Sequence, residues 1–219
     1  MQSSPLAVVL EILLFIPAII LHEVSHGYVA YLLGDPTAHD RGRLTLNPIA
    51  HVDLWGTILM PAVMLLLSGG RFAFGYAKPV PIDPRRMTRT TYQTGMLLTG
   101  AAGPVTNILL AIVSGIAFRL SMLFQAPDVV LFIFYFFALI NLVLALFNLI
   151  PIPPLDGSRV VQYFLKGNAL RAYSQLERYG FVIVLALVFI LPQLVPGMNP
   201  IGWYFDHTVY PILHLLTGV

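Results

Sequence analysis

His22-Glu23-Val24-Ser25-His26 lies inside an apolar run, residues 6–33, whose only other charged residue is Glu11. A run of this length suits a helix that crosses a bilayer. On a helix, two residues at this spacing share one face. Two imidazoles so placed can hold one zinc ion, with Glu23 beside a metal-bound water. Ionisable groups within a bilayer-length helix are costly and mark functional sites. The bland alternative is a polar cluster that glues this helix to its neighbours.

Composition agrees with a membrane setting. Of 219 residues, 58% are hydrophobic and 10% charged, and the mean hydropathy is +0.82. Soluble domains carry about 25% charged residues. The chain is expected to be a multi-pass protein of the cell membrane. It reads as one domain over residues 1–219, with a catalytic core at about 6–166 and C-terminal helices at about 178–217. The net charge of +2 is too small to suggest a nucleic-acid partner. Cysteine is absent, so any zinc must be held by histidine and carboxylate. Residues 1–5 carry no Lys or Arg, so the first run reads as an uncleaved helix rather than a signal peptide.

Further spans are expected at residues 96–124, 129–150 and 181–195. Residues 54–68 and 201–216 are apolar but short or interrupted, so the chain is all-α with five to six hydrophobic helical segments. Residues 34–53 are rich in Gly, Pro, Asp and Asn, and in residues 72–82 Gly75, Pro79 and Pro81 forbid a long helix. Arg43-Leu44-Thr45-Leu46 and Val80 with Ile82 suit short extended stretches. A membrane-associated β or re-entrant region is therefore expected between the first helix and the helix containing Gly103-Pro104. Irregular backbone is tolerated there only under protein or water.

The basic residues choose the topology. If residues 54–68 dip in and return, Arg41, Arg43, Arg71, Lys78, Arg85, Arg86, Arg89, Arg159, Lys166, Arg171 and Arg178 share one side, and Arg119 stands alone opposite. The positive-inside rule favours this arrangement and makes the richer side cytoplasmic, with the N-terminus external.

Two histidines need a third protein ligand. Asp156 is the best candidate, in Leu155-Asp156-Gly157 after the prolines 151, 153 and 154 that break the preceding helix. It reads equally as a helix N-cap, with Asp53 and Asp83 the next carboxylates to consider. Depth supports the ligand reading. His22 lies about 24 Å down its helix from the external side, and Asp156 follows the cytoplasmic end of a helix running the same way. Both reach one depth, inside the bilayer and toward the cytoplasm.

Together these residues resemble the site-2 protease family of intramembrane zinc metalloproteases. The matching stretches are His22 to His26, Gly103-Pro104-Val105-Thr106-Asn107, and Asn148 through Asp156-Gly157. The chain looks most like the small bacterial and archaeal members without PDZ or CBS domains. The resemblance implies that His22, His26 and Asp156 hold one zinc ion per chain and that Glu23 activates a zinc-bound water. The enzyme would then hydrolyse peptide bonds in or next to transmembrane segments of a substrate protein in the lipid bilayer. Asn148 reads either as a hydrogen-bond donor to the substrate or oxyanion, or as interhelical glue. Asn107 and Asn141 read as structural. His39 and His51 read as surface residues, and His207 and His214 as interfacial. The competing function is a non-enzymatic membrane protein that binds or transports metal. Such a protein needs ligands along a path, whereas this sequence has one cluster and a candidate base.

Overall fold

The computed structural model describes residues 5–67, 75–195 and 197–219. The helices are α1 (Pro5–Leu32), α2 (Thr37–Asp40), α3 (Met60–Leu67), α4 (Tyr92–Leu123), α5 (Asp128–Asn148), α6 (Asp156–Phe164), α7 (Gly167–Gln175), α8 (Glu177–Leu185), α9 (Leu191–Leu194) and α10 (Pro200–Thr217). Among the described residues, four stretches are long and apolar enough to cross a membrane: Leu6–Leu32, Tyr92–Leu123, Asp128–Asn148 and Glu177–Leu194. They coincide with the four long apolar runs of the sequence.

α1, α4 and α5 form the bundle that carries the site. Thr91 caps α4, its hydroxyl accepting from the Thr94 amide. Pro151 and the prolines after it prevent α5 from continuing. Gly100 and Gly103 let α4 approach its neighbours closely. A Cβ on Gly100 would strike Arg159, and one on Gly103 would strike both histidines of α1. The outer faces stay apolar. Ile12, Leu13, Leu109, Val113 and Ile116 are all more than half exposed, as suits a surface facing lipid.

α10 closes the core with Val209 and Leu213, fully buried against Ala111, Ala138 and Leu142. Near its start, the Tyr204 hydroxyl donates to the Leu146 carbonyl (3.1 Å). At its end, Arg119 donates to the carbonyls of Leu216 (2.7 Å) and Leu215 (2.6 Å). α10 therefore runs antiparallel to α5 and parallel to α4, and a cation caps its C-terminus. The apolar stretch before it, Glu177–Leu194, starts beside the proline segment that follows α5, where Gly180 lies against the Pro153 carbonyl.

The expected extended region takes a different form. Among the described residues there is no strand. Arg43 instead bridges to the carbonyls of Lys78 (2.8 Å) and Pro79 (3.4 Å) with its side chain. Pro79 and Pro81 have no N–H to offer a ladder, and the Val80 amide is used elsewhere. Residues 54–67 begin as a π-helical turn, Leu54–Leu59, capped by the Asp53 carboxylate, and continue as α3. The chain then comes back to its starting point. The Tyr76 amide donates to the Gly56 carbonyl (3.0 Å), and the Lys78 amide to the His51 carbonyl (2.9 Å). The Thr57 hydroxyl donates to the Tyr76 carbonyl (2.9 Å). Ser68, Arg71 and residues 72–74 of the sequence reading lie outside the described residues.

Candidate metal centre

His22 and His26 sit one turn apart on α1 and are both buried, as is Asp156 at the first turn of α6. Their ligating atoms form a nearly equilateral triangle. His22 Nε2 and His26 Nε2 are 3.1 Å apart. Asp156 Oδ2 is 3.1 Å from the first and 3.2 Å from the second. Among the described residues this is the one group of three such side chains within reach of a common ion.

The hydrogen bonds behind the rings set their tautomers. His26 Nδ1 lies 2.5 Å from the Thr99 carbonyl, which can only accept. His22 Nδ1 lies 2.5 Å from Asn107 Oδ1. The amide nitrogen of Asn107 donates to Asn141 Oδ1 (2.7 Å) and to the Ala18 carbonyl (3.3 Å), which leaves its oxygen to accept from His22. Both Nδ1 atoms are therefore donors, and in neutral rings both Nε2 atoms present lone pairs. Two lone pairs and a carboxylate oxygen converge at about hydrogen-bond distance with no donor between them. That arrangement is repulsive unless a cation sits there. The edges also match zinc. Ligands at roughly 2.0–2.1 Å in a tetrahedron are separated by about 3.3–3.4 Å. The residues present fit a zinc ion.

Asp156 is not a cap. Leu155 occupies the cap position of α6, with no side-chain cap hydrogen bond, and the Asp156 carboxylate faces the imidazoles. Asp53 and Asp83 are committed elsewhere, Asp53 to the amides of Trp55 and Gly56 and Asp83 to Arg85. Glu23 is half-buried, and its Oε2 accepts the Val80 amide at 3.0 Å. Asn148 is not brought into contact with the triangle; its amide donates to Leu144 of its own helix (2.9 Å).

Two readings of the sequence are corrected here. His51 is not a surface residue but is buried, its Nε2 donating to the Thr45 carbonyl (2.8 Å). Asn107 does more than join helices, because it holds a histidine of the triangle. Its position four residues after Gly103, which touches both histidines, was the available signal. Thr99 acts through its backbone and left no trace in the sequence. His39 is exposed, as expected.

Residues 122–191 match the model of peptidase family M50. The chain is 40% identical over 209 residues to "Putative zinc metalloprotease YwhC" of Bacillus subtilis, covering 88% of this chain and 89% of that protein. The chain belongs to peptidase family M50. This M50 protein is also 32% identical over 186 residues to "Putative zinc metalloprotease Rip2" of Mycobacterium tuberculosis, covering 84% of the chain and 66% of the relative. A 62-residue stretch is 44% identical to "Putative zinc metalloprotease MJ0611" of Methanocaldococcus jannaschii, covering 28% of the chain and 31% of that protein. No solved structure matches. The sequence resemblance and the comparisons agree on a metalloprotease with membrane helices.

Proposed function

We propose that this metalloprotease is a zinc endopeptidase that cleaves peptide bonds in or beside transmembrane segments. One observation carries the reading. The triangle of His22, His26 and Asp156 is buried where the apolar helices α1 and α4 meet the start of α6, and the neighbouring Glu23 is held by a backbone amide. His22, His26 and Asp156 would hold one zinc ion. When bound, zinc supplies a Lewis acid that polarises the scissile carbonyl and makes water nucleophilic near neutral pH.

The remaining chemistry belongs to the chain. Glu23 takes a proton from the attacking water as the C–O bond forms at the carbonyl carbon, then gives it to the amine nitrogen as the C–N bond breaks. The Val80 amide fixes the rotamer of Glu23. Asn107 and Thr99 orient the imidazoles. The substrate role implied for Asn148 requires its amide to leave Leu144. A substrate helix hides its carbonyls in internal hydrogen bonds, so it must unwind locally to reach the site.

The membrane arrangement supports action within the bilayer. Arg41, Arg43, Lys78, Arg85, Arg86 and Arg89 lie on segments near the end where α1 stops and α4 starts, whereas Arg119 lies near the other end of α4. The return of the chain from Gly56 to Tyr76 favours a re-entrant segment over a crossing. The arginine-rich end is then cytoplasmic, and the triangle lies nearer that end, His26 being within two turns of the last residue of α1. The whole chain reads as one domain, with α10 part of its core.

The test is cleavage of peptides that contain a transmembrane segment by the purified protein in lipid, with and without a chelator. Cleavage within or beside the segment, lost on chelation and restored by zinc, is expected. Cleavage confined to soluble peptides would overturn the reading.

A further inference from the structure

A cavity of about 540 Å³ opens at the end of the bundle where α1 stops and α4 starts. Thr37, Arg41, residues 81–86 and Tyr92 line it. None of them belongs to the metal centre. The walls are fixed from behind by Asp35, which is fully buried. One carboxylate oxygen of Asp35 accepts the Thr37 amide (3.0 Å) and hydroxyl. The other accepts the Asp83 amide (2.7 Å). Residues on either side of the cavity are thus locked to one buried group.

Three guanidinium groups line this space. Arg86 donates to the Thr37 hydroxyl (3.0 Å) and faces Asp40 at 3.5 Å. Arg85 pairs with Asp83, and this hydrogen bond holds the Asp83 carboxyl below the usual carboxylate range. Arg41 is exposed, and its guanidinium has no partner among the described residues. Asp83 pairs with Arg85 and Asp40 faces Arg86, while the Asp35 carboxylate is turned inward onto the Thr37 and Asp83 amides, so Arg41 is the guanidinium left facing the cavity without a carboxylate partner. Its level is that of a membrane interface. The Arg89 amide bonds the Leu33 carbonyl just past the end of α1 (3.0 Å), and Tyr92 is an exposed aromatic at the first residue of α4, where interfacial tyrosines gather.

We propose that this cavity binds a phosphate-type anion, supplied in the membrane by the headgroup of an anionic phospholipid. Guanidinium forks match phosphate oxygens in pairs. Basic pockets at helix ends beside the membrane are suited to anionic headgroups. Arg41 provides the unpaired fork, and Arg85 and Arg86 supply donors from the opposite wall.

The test is native mass spectrometry of the full chain in detergent, offered phosphatidylglycerol, phosphatidylcholine or inorganic phosphate. Phosphatidylglycerol should be retained in preference to phosphatidylcholine. Arg41→Gln should weaken that retention about fivefold, and Arg41→Gln with Arg85→Gln roughly twenty- to thirtyfold. The Arg41 side chain makes no hydrogen bond or ion pair among the described residues, and its backbone bond to Thr37 is kept in the variant, so Arg41→Gln tests the site without disturbing the fold. Arg171→Gln, outside the cavity, should leave retention unchanged. Inorganic phosphate bound with the same arginine dependence, and no preference for phosphatidylglycerol, would keep the site and make free phosphate its source. Equal retention of both lipids with no phosphate bound would overturn the proposal. So would retention insensitive to Arg41 and Arg85, or an equal loss in the Arg171 variant.

Discussion

Asn107 accepts the Nδ1 proton of His22 at 2.5 Å and passes its own amide protons to Asn141 and Ala18. One side chain thereby sets the tautomer of an imidazole on another helix. Partners of this kind typically hold metal affinity by 10–100-fold. Asn107→Ala should lower zinc affinity by about that factor, measured by competition with a chelator. Asn107→Asp, which still accepts, should retain more. Equal zinc affinity in wild type and Asn107→Ala would show that the contact does not orient His22.

Asp156→Asn separates the two carboxylate roles considered from the sequence. A cap tolerates Asn at a cost of at most about 1 kcal/mol. A ligand does not, because a neutral amide is a poor donor to zinc. The variant should insert and fold, yet lose zinc affinity by more than the roughly 10–100-fold of an orienting change. Metal analysis that found one zinc per chain in the variant would remove Asp156 from the site.

Glu23→Gln should keep the metal and lose turnover by about 10²–10⁴-fold. The measurement pairs zinc content with peptide cleavage. Loss of zinc along with activity would make Glu23 a ligand or a folding residue rather than a base.

Gly103→Ala reverses an ordinary rule. Ala in a helix interior is normally preferred to Gly by about 1 kcal/mol. Here the added methyl would overlap both imidazoles, so overpacking should destabilise by about 1–3 kcal/mol and zinc binding should fall. A thermal midpoint at or above wild type with zinc retained would show that α4 can shift away from α1.

The chain has no cysteine, so single cysteines report topology without background. Arg119 caps the last turn of α10. A cysteine at Val219 should therefore label from the same side as one at Gln125, and cysteines at Arg41 and Arg85 from the other. Labelling of Arg41 and Arg85 from opposite sides would mean that the chain crosses between them.

Local rules settled much of this protein before folding. Helical spacing put His22 and His26 on one face, run lengths marked α1, α4 and α5, and prolines after Asn148 ended a helix just before Asp156. These depend on residues a few positions apart. The rest depended on contacts between distant residues. Asn107 reaches His22 across 85 residues, Thr99 reaches His26 across 73, and Val80 reaches Glu23 across 57. No periodicity encodes such pairs, and two of them use backbone atoms that every residue possesses. Burial of His51, the absence of a strand beside Arg43, and the return of α10 alongside α4 likewise follow from close packing. Only the assembled bundle decides which carbonyl, amide or small residue a side chain meets.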